Sequence, residues 1–502
     1  MRAILPPLNR SALLLGILTP LAAFAEGPIT LPDNLAPSLL MENANGEYDQ
    51  WRGVGRLESL ANGRCTAVLI DTQADGAPAD APAYLLTSGH CAYAHPQLDA
   101  LSTPQPIRGH IEFNYFRDTS SQRQVYPLKT LHWSTQRGRD LAIIEVDAPL
   151  ARLRADGIEP LSMAPLPPAQ GTPLLSVSAP LTENGYTLRV SACEMEGLRD
   201  VVEHPYVWRN NLRNACQDVL PGSSGSPLLN RDDGRIVGIM GTTTRGSVAE
   251  RRCARDAPCE ITDGAIDWVA DMNYATRTDG LPACFHEGRL DVTLEHCDLQ
   301  DLFGVTQHNP YYQPRMASHT GEATANWPSP LTLATSHSYT KTVRNPMACE
   351  DPAGYGAAME NVPGQGLNMP LDGAPGMHML CMLGLDLPSE GLSTAALKNV
   401  YVVAQEITDT PPPPAPEPRL TLLDTGKYQV QLANREPDAV YHQFKFGAVG
   451  DTDCDDPQGY RYHHYTFSIG PRLLPATLCT RSFDASGRPS PARSDLLEAS
   501  GE

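Results

Sequence analysis

The sequence predicts a mainly β protein: a large N-terminal domain built from many short strands, followed by two small disulfide-containing β-sandwich-like repeats. Three observations carry this. Short β-type runs separated by turn residues recur through the first half, as CTAVLI, AYLLT, LAIIEV, PLLSVSA and GRIVGIMG, a pattern that suits barrels more than helices. A block CEDPAGY (Cys349 to Tyr355) returns as CDDPQGY (Cys454 to Tyr460), and LCMLGLD (Leu380 to Asp386) returns as LCTRSFD (Leu478 to Asp484). The twelve cysteines are even in number and none sits in a CxxC motif, so they read as disulfides rather than as zinc or redox sites.

In chain order, Met1 to Ala25 reads as a secretory leader. Arg2 and Arg10 give the positive start, Ser11 to Phe24 the apolar stretch, and Ala23-Phe24-Ala25 the small-x-small cleavage site. No later stretch approaches 18 uninterrupted apolar residues, so no membrane span is expected. The mature chain is expected to be secreted or periplasmic. Residues 26–52, rich in Pro, Asn and Glu, are expected to form an arm or a propeptide. The formal charge of −20 argues against nucleic acid as a partner.

The chemistry concentrates in three blocks. PGSSGSP, Pro221 to Pro227, places Ser224 in a Gly-x-Ser-Gly-x-Pro setting. A serine hydroxyl needs a base beside it and backbone N–H donors for the oxyanion, and small flanking residues allow the tight turn that aims such donors at one point. TSGHC, Thr87 to Cys91, follows the apolar run Ala83-Tyr84-Leu85-Leu86 and offers His90 as the base. RDLAIIEV, Arg139 to Val146, puts Asp140 at the mouth of another β-rich run. His95, His110 and His132 lack the strand-then-Cys context and read as surface or core residues.

With His90, Asp140 and Ser224 in this order, the chain resembles the chymotrypsin-like (trypsin-fold) serine proteases over roughly Gly53 to Thr278. In flavour it is nearest to bacterial secreted trypsin-like and glutamyl-endopeptidase-like enzymes. The resemblance implies a double six-stranded antiparallel β-barrel, with peptide-bond hydrolysis through an acyl-enzyme and neither cofactor nor metal. His90 would act as general base and acid, Asp140 would orient and stabilise its imidazolium, and Gly222 and Ser224 would supply the oxyanion N–H groups. It also implies that Cys65 pairs with Cys91 to staple His90. Family members commonly end in a helix, and Thr262 to Ala275 fits one: Ile266, Val269, Ala270 and Asn273 share a face, with Thr262 or Asp263 as cap.

Two departures concern specificity and activation. Asp218, six residues before Ser224, stands where trypsin-like enzymes place the acid that selects Arg or Lys. The cysteine that accompanies it there is missing, and glutamyl-endopeptidase-like relatives carry a similar Asp without tryptic preference. A pocket including Asp218, Gly241, Thr242 and Thr243 is therefore expected, with basic selectivity as one option. Ser223 replaces the Asp that pairs with a new N-terminus in zymogen activation, so that switch is expected to be absent. For the remaining cysteines, pairing between neighbours competes with a Cys216–Cys253 bridge across the pocket.

Residues 279–314 are expected to connect to the repeats, at 315–408 and 419–502, with PPPPAPEP (within 409–418) as a stiff linker. The repeats loosely resemble immunoglobulin-like or fibronectin-like modules of bacterial surface proteins. Polypeptides are the expected substrates, and a surface or protein ligand is the expected partner of the repeats. The acidic run Asp451 to Asp456 has its glycine displaced from a calcium-loop position and reads as a solvated turn, and His463-His464 has no nearby metal-ligand partners. The competing reading is a catalytically silent protease homologue that binds or adheres through its C-terminal modules.

Overall fold

A computed structural model describes residues 31 and 37–499, apart from 60–62, 73–77, 93–99, 183–184, 300–301, 308–314, 318–324, 328–330, 363–364, 368, 388–390, 410, 433–438, 440, 464–465 and 485–486. The leader Met1 to Ala25, His95 and His464 lie outside the described residues.

The first barrel comprises β1 (Val54–Ser59), β2 (Gly63–Ile70), β3 (Pro82–Thr87), β4 (Gly109–Phe113), β5 (Gln124–Thr135) and β6 (Leu141–Pro149). Antiparallel pairing runs β5-β4-β1-β2-β3-β6 and returns from β6 to β5, closing the ring. Alternate side chains fill it, among them Leu57, Leu69, Leu85, Ile111, Phe113 and Ile144, all without solvent exposure.

The second barrel comprises β7 (Pro173–Ser178), β8 (Arg189–Glu203), β9 (Tyr206–Asn214), β10 (Pro227–Asn230), β11 (Ile236–Thr243) and, after two intervening strands, β14 (Asn273–Arg277). Its ring order is β7-β10-β11-β14-β9-β8, closed by β8 on β7. Val54, Val68, Ile70 and Trp133 from the first barrel pack against Val177, Leu229, Ile236 and Ile239 from the second, so the seam between the barrels is itself an apolar core.

The helix expected over Thr262 to Ala275 does not form. The segment instead makes β12 (Cys259–Thr262) and β13 (Ala265–Asp267), which extend the sheet from β8, and then β14. The cause is local. Asp263 (φ 49°) and Gly264 (φ 83°) make a two-residue hairpin turn with both residues in the left-handed region, and Asp271 (φ 56°) breaks the chain again. Asp-Gly between two β-type runs is a hairpin signal, and here it outweighs the helical spacing.

All twelve cysteines are paired, and each pair joins neighbours in sequence: Cys65–Cys91, Cys193–Cys216, Cys253–Cys259, Cys284–Cys297, Cys349–Cys381 and Cys454–Cys479. A Cys216–Cys253 bridge is thereby ruled out. The segment expected to connect the domains is instead part of the first one. Leu281, Cys284, Cys297 and Leu299 are buried in the inter-barrel core, and the Leu290 amide donates to the Tyr84 hydroxyl at 3.2 Å.

The first repeat begins earlier than expected, since Val305–Gln307 already pairs with Leu331–Leu333. Its central strands Gly376–Leu385 and Tyr401–Thr408 are buried on both faces. Leu380, Met382, Tyr401 and Val403 point into the module with Trp327 and Leu331. Met377, Met379, Leu383, Val400, Val402 and Ala404 instead face Val202, Val207 and Ile261 of the second-barrel sheet. The second repeat is a sandwich of three strands against four, cored by Val430, Phe444, Ile469, Leu478 and Leu497.

The two repeats share one device. Lys341 lies opposite Cys381 in its sheet and donates to the Asp351 and Ala353 carbonyls, with its ammonium 4.5 Å from the Tyr355 ring centre. Lys445 lies opposite Cys479, donates to the Asp456 and Gln458 carbonyls, and stands 4.8 Å from the Tyr460 ring. The hydroxyls of Tyr355 and Tyr460 donate to the Cys349 and Cys454 carbonyls respectively. The recurring Asp-Pro-x-Gly-Tyr block is thus a loop wrapped around a lysine. In the second repeat the acidic run belongs to this loop. No helix among the described residues is long and apolar enough to cross a membrane.

Candidate active site

β3 delivers the chain to a four-residue helical turn, Gly89–Ala92, which carries His90. Gly89 has no room for a side chain, because an added Cβ would lie 2.1 Å from the Thr135 carbonyl oxygen and 3.1 Å from Asp140 Oδ1. This close approach lets Asp140 grip His90 twice. The His90 amide donates to Oδ1 at 2.9 Å, and ring Nδ1 lies 2.7 Å from Oδ2. The Cys65–Cys91 disulfide ties the turn to β2, closing a loop whose stabilisation is on the order of 3 kcal/mol. The Ser59 hydroxyl donates to the Cys91 carbonyl at 2.7 Å.

Asp140 is 1% exposed. Its amide donates to Thr276 Oγ1 at 3.1 Å, and that hydroxyl donates back to the Asp140 carbonyl at 3.2 Å. Gly241 abuts the carboxylate, since a Cβ there would lie 3.4 Å from Oδ2. Burial alone would lower the His90 pKa. The charge and hydrogen bond of Asp140, helped by Glu203 and opposed by Arg255, carry it above its ordinary value.

Ser224 sits in a turn whose flanking glycines, Gly222 (φ 99°) and Gly225 (φ 84°), are both left-handed. Gly225 is wedged between the barrels. A Cβ there would lie 2.1 Å from both the Thr66 carbonyl oxygen and Thr87 Oγ1. The turn is bonded to both barrels. Thr66 donates its amide to the Ser224 carbonyl at 2.9 Å and its hydroxyl to the Gly222 carbonyl at 2.7 Å. The Gly225 amide and the Ser88 hydroxyl both donate to the Met240 carbonyl. Among the described residues, the Gly222 and Ser224 amides take no part in these backbone bonds. A serine, an imidazole oriented by a buried carboxylate, and uncommitted turn amides can together perform nucleophilic acyl transfer.

The residues expected to form the pocket are differently employed. Asp218 (φ 57°) accepts the Ser38 amide at 2.9 Å and hydroxyl at 2.6 Å, and pairs with Arg245 at 3.2 Å. Arg189 also reaches it and donates to the Ser38 hydroxyl. Burial would raise its pKa, but these donors hold the carboxyl below the usual aspartate value. The arm expected over residues 26–52 is therefore, from Ser38 on, a docked strap: Leu39–Leu40 pairs with β8 and Met41 is fully buried. Thr242 and Thr243 lie on β11, and Thr243 donates to the Met272 carbonyl at 3.1 Å. Ser223 is buried, accepts the Leu220 amide at 3.2 Å and donates to Ser178.

One site residue carried no sequence motif. Glu203, at the end of β8, is 7% exposed and lies within electrostatic reach of His90. Its Oε1 accepts the Asp256 amide at 2.9 Å, while Oε2 has no hydrogen-bond partner among the described residues. Burial pushes its pKa up to about 7, against the pull of the Thr242 hydroxyl, the Asp256 amide and His90. Its unfolded value is near 4.5, so stability is lost as pH rises from there through about 7, by on the order of 3 kcal/mol. Glu203→Gln removes this loss. The stability gap between variant and parent, read by urea titration, should be larger at pH 8 than at pH 5.

Residues 65–239 match the trypsin-like peptidase domain family, so the chain carries a trypsin-like peptidase domain. Solved structures of similar fold include the thermostable serine protease AL20 from an extremophilic microorganism (13% identity, 46% of this chain and 92% of that one, TM-score 0.31). Others are the protease Anisep from Arthrobacter nicotinovorans (14%, 46% and 91%, TM-score 0.28) and human heparin binding protein (13%, 48% and 91%, TM-score 0.30). No curated protein matches the chain in sequence.

Proposed function

We propose that the chain is a secreted serine endopeptidase that cleaves polypeptides through an acyl-enzyme formed on Ser224. The observation that carries this is the buried Asp140 carboxylate bonded to both the amide and Nδ1 of His90. That contact fixes the tautomer in which Nε2 is the basic nitrogen that takes the Ser224 proton as it attacks the scissile carbonyl, and Asp140 then stabilises the imidazolium. His90 returns the proton to the leaving amine. The Gly222 and Ser224 amides receive the oxyanion, an effect of roughly 3–4 kcal/mol per donor. Deacylation by water repeats the sequence. Reaction of the full-length chain with a fluorophosphonate probe tests this directly, and a chain that takes no label would refute it.

Asp218 does not serve as a receptor for basic substrate side chains in this reading, because Ser38, Arg245 and Arg189 already occupy it. Peptide-library cleavage should show the same residue preference for the parent and for Asp218→Ser. Loss of an Arg or Lys preference in the variant would restore the tryptic pocket. The strap contact is made by the amide of an internal residue and not by a terminal amine, so extending the mature N-terminus should leave activity intact. Six disulfides fit an oxidising compartment, in keeping with export.

A further inference from the structure

The loop that carries Asp140 is held from outside the barrels. Residues 136–140 cross from β5 to β6, and Arg209 on β9 joins them to the C-terminal region. Its amide donates to the Gly138 carbonyl at 2.9 Å. Its guanidinium lies flush against Gly138, where an added Cβ would come within 2.7 Å of Nη2. The same Nη2 donates to the Lys398 carbonyl at 2.8 Å, and Nε pairs with Glu350 at 2.8 Å. Lys398 and Glu350 both belong to the first C-terminal module.

Neighbouring contacts converge on the same loop. Trp208 Nε1 donates to the Gln136 carbonyl at 2.8 Å. Arg137 donates to the Phe303 carbonyl and stands 5.0 Å from the Tyr401 ring centre, again on the module side. Arg139 is half-buried and within electrostatic reach of Asp298, Glu350, Arg209 and Arg277, and Lys398 pairs with Asp298. Arg277 adjoins Thr276, which bonds Asp140. Loops usually run mobile over the surface, and buried charges are tolerated only in well-fixed pairings. This loop is instead tied by side-chain bonds to the first C-terminal module.

We propose that Arg209 is a positioning residue that ties the Asp140 loop to the first C-terminal module, so that the module helps hold the Asp140 carboxylate against His90. The proposal rests on the triad reading above. In the full-length chain, Arg209→Met should lower kcat by about 10- to 100-fold with KM unchanged, as expected for a small misplacement of a triad member. It should also move the acid limb of kcat/KM to lower pH, because His90 loses part of the charge that raises its pKa. The other charged groups acting on His90, Glu203 and Arg255, are untouched by the change. Glu350→Gln weakens one tie to the module but keeps the Lys398 carbonyl and Gly138 bonds, and should move both quantities the same way by less. A purely structural role would lower the melting temperature without moving the acid limb. Wild-type kcat and acid limb in folded Arg209→Met and in Glu350→Gln would overturn the proposal. Should Arg209→Met not fold, Glu350→Gln alone decides. A wild-type chain inert to fluorophosphonate would remove the triad reading, and this proposal with it.

Discussion

Ser224→Ala should abolish fluorophosphonate labelling and lower kcat for peptide hydrolysis by about 10⁶-fold, while leaving the melting temperature near that of the parent. The side chain is small and its turn is held by Thr66, Met240 and two left-handed glycines, none of which depends on the hydroxyl. Asp140→Asn should cost about 10⁴-fold, because the carboxamide can favour the wrong imidazole tautomer. The two variants differ in pH behaviour. His90 must be neutral to act as base, and its pKa lies above the ordinary 6.5. Parent kcat/KM should therefore fall as pH drops through a midpoint above 6.5. In Asp140→Asn the chief raising charge is gone, so that midpoint should shift downward. An unshifted midpoint, measured by initial rates from pH 5 to 9, would mean that Asp140 does not set the His90 charge state.

Removing the first C-terminal module should be worse than any point change. The module covers Val202, Val207 and Ile261 with Met377, Met379, Leu383, Val402 and Ala404, all of them nearly inaccessible. Val202, Val207 and Ile261 returned to water forfeit roughly 2 kcal/mol each, a loss comparable with the lower end of the stability of a typical domain, about 5–15 kcal/mol. A chain ending at Leu299, which keeps the segment buried in the inter-barrel core, should accumulate as insoluble protein without label. A chain ending at Thr408 keeps the interface, and should remain folded and label at the parent rate. Soluble, labelling protein from the shorter chain would show that the interface is dispensable.

The blocks around His90 and Ser224 stand out in the sequence because each lies where backbones touch. Gly89 and Gly225 have no space for a Cβ, so short motifs with fixed glycines survive in the sequence. The Asp218 clasp was not legible, since its partner Ser38 is 180 residues away and belongs to no motif. Glu203 escaped for a similar reason: its character comes from burial at a strand end, not from its neighbours in sequence. The module interface did leave a trace. GMHMLCMLGL is apolar at consecutive positions, where a strand with one solvated face would alternate. The false helix shows the reverse error, in which helical spacing was weighed without the Asp263-Gly264 hairpin inside it.

The lysine-centred loops align the two modules residue by residue. With Cys381 matched to Cys479, Met379, Leu383 and Leu385 correspond to Thr477, Arg481 and Phe483. The face that the first copy seals against the peptidase is, in the second, half-exposed and mixed in character, with Phe483 stacked on Tyr441 at 4.7 Å and Tyr462 beside it at 5.2 Å. The duplication has thus produced a division of labour from one surface: one copy became an inner wall of the peptidase, and the other keeps the same patch turned outward beyond the proline spacer.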